Sequence, residues 1–166
     1  MKFKSTIVRI TLWLTYGADK ALPNLLRCRA LCRPHVRERT RLMESHDKDR
    51  LFRKGLEAFN SGHFYEAHEH WEEVWLQTLD PEKMFLQGLI QVAAAFHHYS
   101  RANRQGTENL LRAGLTKVEG FPHTHGGLEL EPLRVSVRRW LAALQGGEDP
   151  TEEEIPRIEW LGGGSE

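Results

Sequence analysis

The sequence predicts an all-α fold, a compact bundle of about five helices behind a basic, weakly structured N-terminal extension. Two observations carry that expectation. From Asp47 onward apolar residues recur at three- and four-residue spacing, and Gly, Pro and Asn clusters interrupt the pattern at helix-length intervals. No segment sustains the period-two alternation of a half-buried strand.

The elements follow in order. Leu51, Phe52, Gly55, Leu56 and Phe59 mark a first helix that Asn60-Ser-Gly62 ends. A second is expected from about His63 to Thr78, closed by Leu79-Asp80-Pro81. A third is expected from about Glu82 to Arg101, before Ala102-Asn103. A fourth spans about Arg104 to Glu119, stopped by Gly120-Phe-Pro122. The loop His123-Thr-His-Gly-Gly127 reads as a solvated turn and leads to a fifth helix from about Leu130 to Leu144. The domain reading is therefore an extension over 1–42, a bundle over 47–145 and an irregular tail over 146–166.

The chain has 166 residues, 23 basic and 23 acidic, so its formal net charge is zero. The balance is uneven: residues 1–42 hold ten basic residues against Asp19 and Glu38, and the remainder is acidic. An acidic body repels phosphate, so no nucleic-acid partner is expected. Ile7 to Leu14 is the most apolar stretch, but it is shorter than the roughly 20 residues of a spanning helix, and Arg9 interrupts it. It is also a poor secretory signal, and the expected setting is cytoplasmic with no membrane partner. Cys28 and Cys32 lie in the extension with no second pair to complete a zinc site. Met43 is the natural polar start, which would make residues 1–42 an upstream stretch without a fold.

Two helices carry the chemistry. On a helical wheel Phe64, Tyr65, His68, Trp71, Glu72 and Trp75 share one face of the second helix. A carboxylate among aromatic rings needs a partner. No Lys or Arg lies between Lys54 and Lys83, so the cation must come from another helix, a protonated His68 or a metal. The third helix is apolar nearly all round, and one stripe differs: Gln87, Gly88, Gln91, Ala94, Ala95 and His98. If that stripe faces the second helix, His68, Glu72 and His98 converge as a three-ligand set for Zn or Fe(II) with an open position. Gln87 and Gln91 would orient ligands, and Trp75 would support them. Were the site catalytic, metal-assisted hydrolysis with Glu72 as base is the compatible chemistry. A buried His68–Glu72 pair that merely orders an aromatic core satisfies the same spacing.

Phe59-Asn-Ser-Gly-His-Phe-Tyr-Glu-Ala-His-Glu-His-Trp-Glu-Glu-Val-Trp75 and Phe85-Leu-Gln-Gly-Leu-Ile-Gln-Val-Ala-Ala-Ala95 resemble the bacterial and archaeal domain-of-unknown-function family 309. Its His-x-x-x-Glu-x-x-Trp/Tyr motif is matched by His68, Glu72 and Trp75, and its later His by His98. The likeness runs from about Leu51 to Val118 and weakens toward Leu144. It implies a small helical fold and a suggested metal-binding role, without a reaction. His97 departs from the aromatic residue that the family shows there.

An interaction module is the competing class. Leu51, Gly55, Gly62, Phe64, Ala67, Trp71 and Pro81 follow the spacing of one tetratricopeptide helix pair, although a stable array needs about three repeats. Metal dependence separates the two, because an adaptor ignores chelators. A homodimer, if formed, would rest on the apolar third helix and Trp140.

Overall fold

A computed structural model of the chain describes residues 45–148, 150, 151 and 154–162. The expectations for residues 1–42, including Cys28, Cys32 and a start at Met43, lie outside the described residues. The five expected helices are present: α1 (Ser45–Asn60), α2 (Phe64–Trp75), α3 (Glu82–Tyr99), α4 (Arg104–Val118) and α5 (Glu131–Gly146). Between α4 and α5 a minimal hairpin pairs β1 (Thr124–His125) with β2 (Leu128–Glu129), antiparallel. Its turn is Gly126-Gly127, both at positive φ (57° and 75°), the conformation a two-residue hairpin demands.

Three helices stop by the same local device. In each, an amide just past the helix end reaches back five residues to a carbonyl: His63 to Ala58, Asn103 to His98 and Glu148 to Ala143. The residue before that amide must turn left-handed. Gly62 (φ 78°) and Gly147 (φ 84°) do so without strain, and Ala102 (φ 55°) does the same with a Cβ. α4 then begins directly on its own cap, the Asn103 side chain accepting from the Gly106 amide at 3.0 Å.

Successive helices pack as neighbours, and α3 lies at the centre. Leu89, Ile90, Ala93 and Phe96 of α3 are buried, as is Trp140 of α5, whose ring meets Phe96 edge-on at 5.0 Å. Those apolar groups are covered by the chain's own helices.

The α3–α4 crossing rests on two glycines. A Cβ on Gly88 would stand 2.7 Å from Val118 Cγ2, and one on Gly114 would stand 3.0 Å from the Gly88 carbonyl. The helices therefore touch backbone to backbone, and Gly88 of the α3 stripe faces α4. The condition that this stripe faces α2 is not met at Gly88. The physical reason is that a second helix, α4, carries its own mid-helix glycine and takes the close approach.

Past α5 the chain returns over the bundle, held by side chains that grip its backbone. Asn60 Nδ2 donates to the Ile158 carbonyl and Asn60 Oδ1 accepts from the Ile158 amide, both at 2.9 Å. The Tyr99 hydroxyl donates to the Pro150 carbonyl, and Trp140 Nε1 donates to the Glu154 carbonyl at 2.9 Å. Pro156 and Ile158 are buried, and Leu128 forms a bridge to Trp160. Among the described residues no helix is long and apolar enough to cross a membrane.

Candidate functional site

The second helix begins just after the Gly62 turn and presents Tyr65, His68, Glu69 and Glu72 along one ridge, as i, i+3, i+4 and i+7 spacing requires. His68 is 7% exposed, and its Nδ1 is buried without a hydrogen-bond partner among the described residues. Burial pulls its imidazole down to about 4; the Glu69 carboxylate opposes that shift and His97 adds to it. His68 is therefore neutral at pH 7 and is not the cation that balances Glu72.

Glu72 is half-buried. Burial, then the neighbouring Glu69 charge, pushes its carboxyl above the ordinary carboxylate value. No Lys or Arg is ion-paired with it among the described residues. Tyr65 donates to Glu69 Oε1 at 2.6 Å, and that bond, with burial and nearby carboxylates, pushes the phenol up to about 12. From α3, His97 stacks against Tyr65 at 5.6 Å between ring centroids and sits close enough to shift His68. Burial lowers the His97 pKa, and Arg101, whose Nε lies 3.2 Å from His97 Nε2, lowers it further.

His98 is turned elsewhere. Its Nδ1 lies 2.8 Å from Asn103 Nδ2, at the start of α4, and a Cβ on Gly106 would stand 2.9 Å from it. It belongs to the α3–α4 junction and braces the α4 cap. Among the described residues no three His, Cys, Asp or Glu side chains are gathered to hold a metal ion. The expected convergence of His68, Glu72 and His98 is thus corrected, because His98 follows the Gly88 stripe toward α4. The α3 imidazole beside His68 is His97, the position that departs from the family pattern. One residue earlier on α3 is a turn of about 100°, and that is the signal that would have found it.

The supporting residues divide. Gln91 is fully buried and Gln87 half-buried on α3. Trp75 is half-buried at the end of α2, with Lys83 Nζ over its ring at 4.2 Å. His125 is also more than a solvated turn: its Nε2 lies 2.9 Å from Glu82 Oε2, and its ring meets Phe85 edge-on at 4.7 Å.

Gly55 lies against the Trp71 indole, Ala67 is fully buried, and Trp71 Nε1 donates to the Phe52 carbonyl at 3.0 Å.

Residues 52–110 match the family model described as a domain of unknown function, DUF309. The resemblance therefore holds over most of α1, all of α2 and α3, and the first half of α4. An uncharacterized protein of Aquifex aeolicus (strain VF5) is 32% identical over 101 residues, which is 60% of this chain and 30% of that protein. The chain thus spans less than a third of the length of the curated relative it matches.

Proposed function

Starting from the match of residues 52–110 to the DUF309 family, we propose that the protein is a binding domain whose site is the His68 ridge of α2 with His97 of α3. Its occupant is a small cation, a divalent metal (Zn or Fe) before an organic ammonium group. The single observation that carries this reading is the buried, neutral His68 with an unpartnered Nδ1. An orphaned buried polar atom costs about 1–3 kcal/mol, which a bound group would recover. The sign of the charge follows from Glu66, Glu69 and Glu72, none of which is ion-paired with Lys or Arg among the described residues.

The donor chemistry fits a cation in part. A neutral imidazole offers a lone pair and the carboxylates offer oxygen, while His98 is committed to the α4 cap. A divalent ion bound here would supply Lewis acidity. Glu72, with its raised carboxyl, is the residue that would exchange a proton in a hydrolytic role.

Elemental analysis of the untagged full chain after dialysis against Zn or Fe(II) tests the reading. Near-stoichiometric metal that His68→Ala abolishes and His98→Ala leaves in place supports it. A folded wild type that holds no metal, or metal indifferent to His68→Ala, overturns the metal. Saturable binding of an alkylammonium that depends on Glu69 and Glu72 would then identify the organic source.

A second reading has its own observation. Leu76 and Leu79 are exposed, with Met84, around the α2–α3 connection, beside the Gly55–Trp71 helix pair. An interaction module using that edge would be indifferent to chelators.

A further inference from the structure

Where α2 passes into α3, one stretch of chain turns three large apolar side chains to solvent. Leu76 is 64% exposed, Leu79 83% and Met84 43%. The backbone that carries them is pinned. The Leu76, Gln77 and Thr78 amides donate to the Glu72, Val74 and Trp75 carbonyls at 2.9, 3.1 and 3.2 Å, and the Lys83 amide donates to the Leu79 carbonyl at 3.0 Å. The Thr78 hydroxyl donates to the Val74 carbonyl at 2.7 Å, and from α1 Lys48 Nζ donates to the Gln77 carbonyl at 2.9 Å. A hydrogen-bonded turn thus holds both leucines outward, so covering them orders little new backbone.

Charge selects what covers them. Leu76 lies one helical turn beyond Glu73, and Leu79 adjoins Asp80. The nearby lysines are engaged by the chain itself, Lys48 on that carbonyl and Lys83 over the Trp75 ring at 4.2 Å. Glu73 and Asp80 are exposed, and neither is ion-paired among the described residues. An apolar patch with an acidic rim repels phosphate headgroups and attracts Lys or Arg.

We propose, resting on the second reading above, that this edge docks a basic amphipathic helix of a partner protein. Its apolar face covers Leu76, Leu79 and Met84, and its flanking Lys or Arg side chains meet Glu73 and Asp80.

The test is fluorescence anisotropy of the full chain with a labelled amphipathic leucine–lysine peptide, leucines at helical spacing, beside its leucine–glutamate counterpart. The wild type is expected to bind the lysine peptide saturably and not the glutamate one. Leu79→Ser should weaken binding more than about tenfold, the loss of one buried leucine. Glu73→Gln with Asp80→Asn should weaken it about threefold to tenfold, a difference that high salt erases. Both changes are at exposed positions, and circular dichroism of each variant confirms the fold. Equal binding of the two peptides that Leu79→Ser abolishes keeps the edge and overturns the basic partner. No binding, or binding indifferent to Leu79→Ser, overturns the edge itself. Phosphatidylglycerol vesicles bound in place of the peptide, or a dimer in sedimentation that Leu79→Ser dissociates, overturns the proposal in favour of a membrane or a second copy.

Discussion

Gly55 of α1 and Trp71 of α2 meet with no room between them for a side chain. A Cβ at residue 55 would stand 2.5 Å from Trp71 Cδ1 and closer still to Nε1. The indole is fixed from the other side by its bond to the Phe52 carbonyl and by the Phe59 ring at 5.8 Å. Glycine is here the condition for seating one of the two tryptophans of the core.

Gly55→Ala is accordingly expected to destabilise the protein. In an exposed helix interior alanine would gain about 1 kcal/mol over glycine. Overpacking against a ring held on two sides costs roughly 1–3 kcal/mol and outweighs that gain. A fall in the urea midpoint at constant slope checks this; a rise would show that α1 can shift away from Trp71.

Ala102→Gly is expected to act in the other direction. Residue 102 takes the left-handed turn that Gly62 and Gly147 take elsewhere, and its Cβ is a source of strain there. Relieving it should add about 1 kcal/mol, measured by the same denaturation.

Arg134, 5% exposed, gathers the end of α4: one Nη2 donates to the carbonyls of Val118 at 2.8 Å, Phe121 at 2.6 Å and Pro122 at 3.1 Å. Arg134→Met keeps the stem and strands those acceptors. A loss of roughly 2–5 kcal/mol is expected, with Arg134→Lys intermediate. Chemical denaturation that finds the Met variant as stable as wild type would contradict the capping role.

The pH dependence of the metal-free protein has a definite sign. His68 titrates near 6.5 when unfolded and about 4 when folded, so between those values the unfolded chain binds more protons. Its contribution is present above pH 6.5 and is lost as pH falls toward 4, by roughly 3 kcal/mol in all. His97 and His98, also lowered by burial, act in the same direction. Glu72 acts against them, because its raised carboxyl takes a proton more readily in the fold. With EDTA present, stability should fall between pH 7 and 4.5, and His68→Gln should flatten that fall. An unchanged profile in the variant would place the His68 side chain in contact with water.

Much of the bundle was legible because its signals are local. Gly62 and Gly147 end helices where turn chemistry says they should, and Pro81 marks the break before α3. The Gly126-Gly127 hairpin was missed as a strand pair because two residues on each side show no alternation. The face of α3 was a different problem. Its stripe of small residues shows that some helix approaches closely, and only the pairing of Gly88 with Gly114 decides which. That tertiary choice sent His98 to α4 and brought His97 to His68. The ridge of α2 was readable residue by residue, whereas its partner depended on a rotation of α3 that periodicity alone does not set.

The tail beyond α5 is gripped by its backbone: Asn60, Tyr99 and Trp140 bind the main-chain atoms of Ile158, Pro150 and Glu154. Main-chain atoms are common to every residue type, so this hold does not read the identities of outward residues such as Arg157 and Glu159. Substitution there can change what the surface displays while the strap stays fastened. Surface chemistry and foldedness are thereby assigned to different atoms of one segment, and selection can retune the first without putting the second at risk.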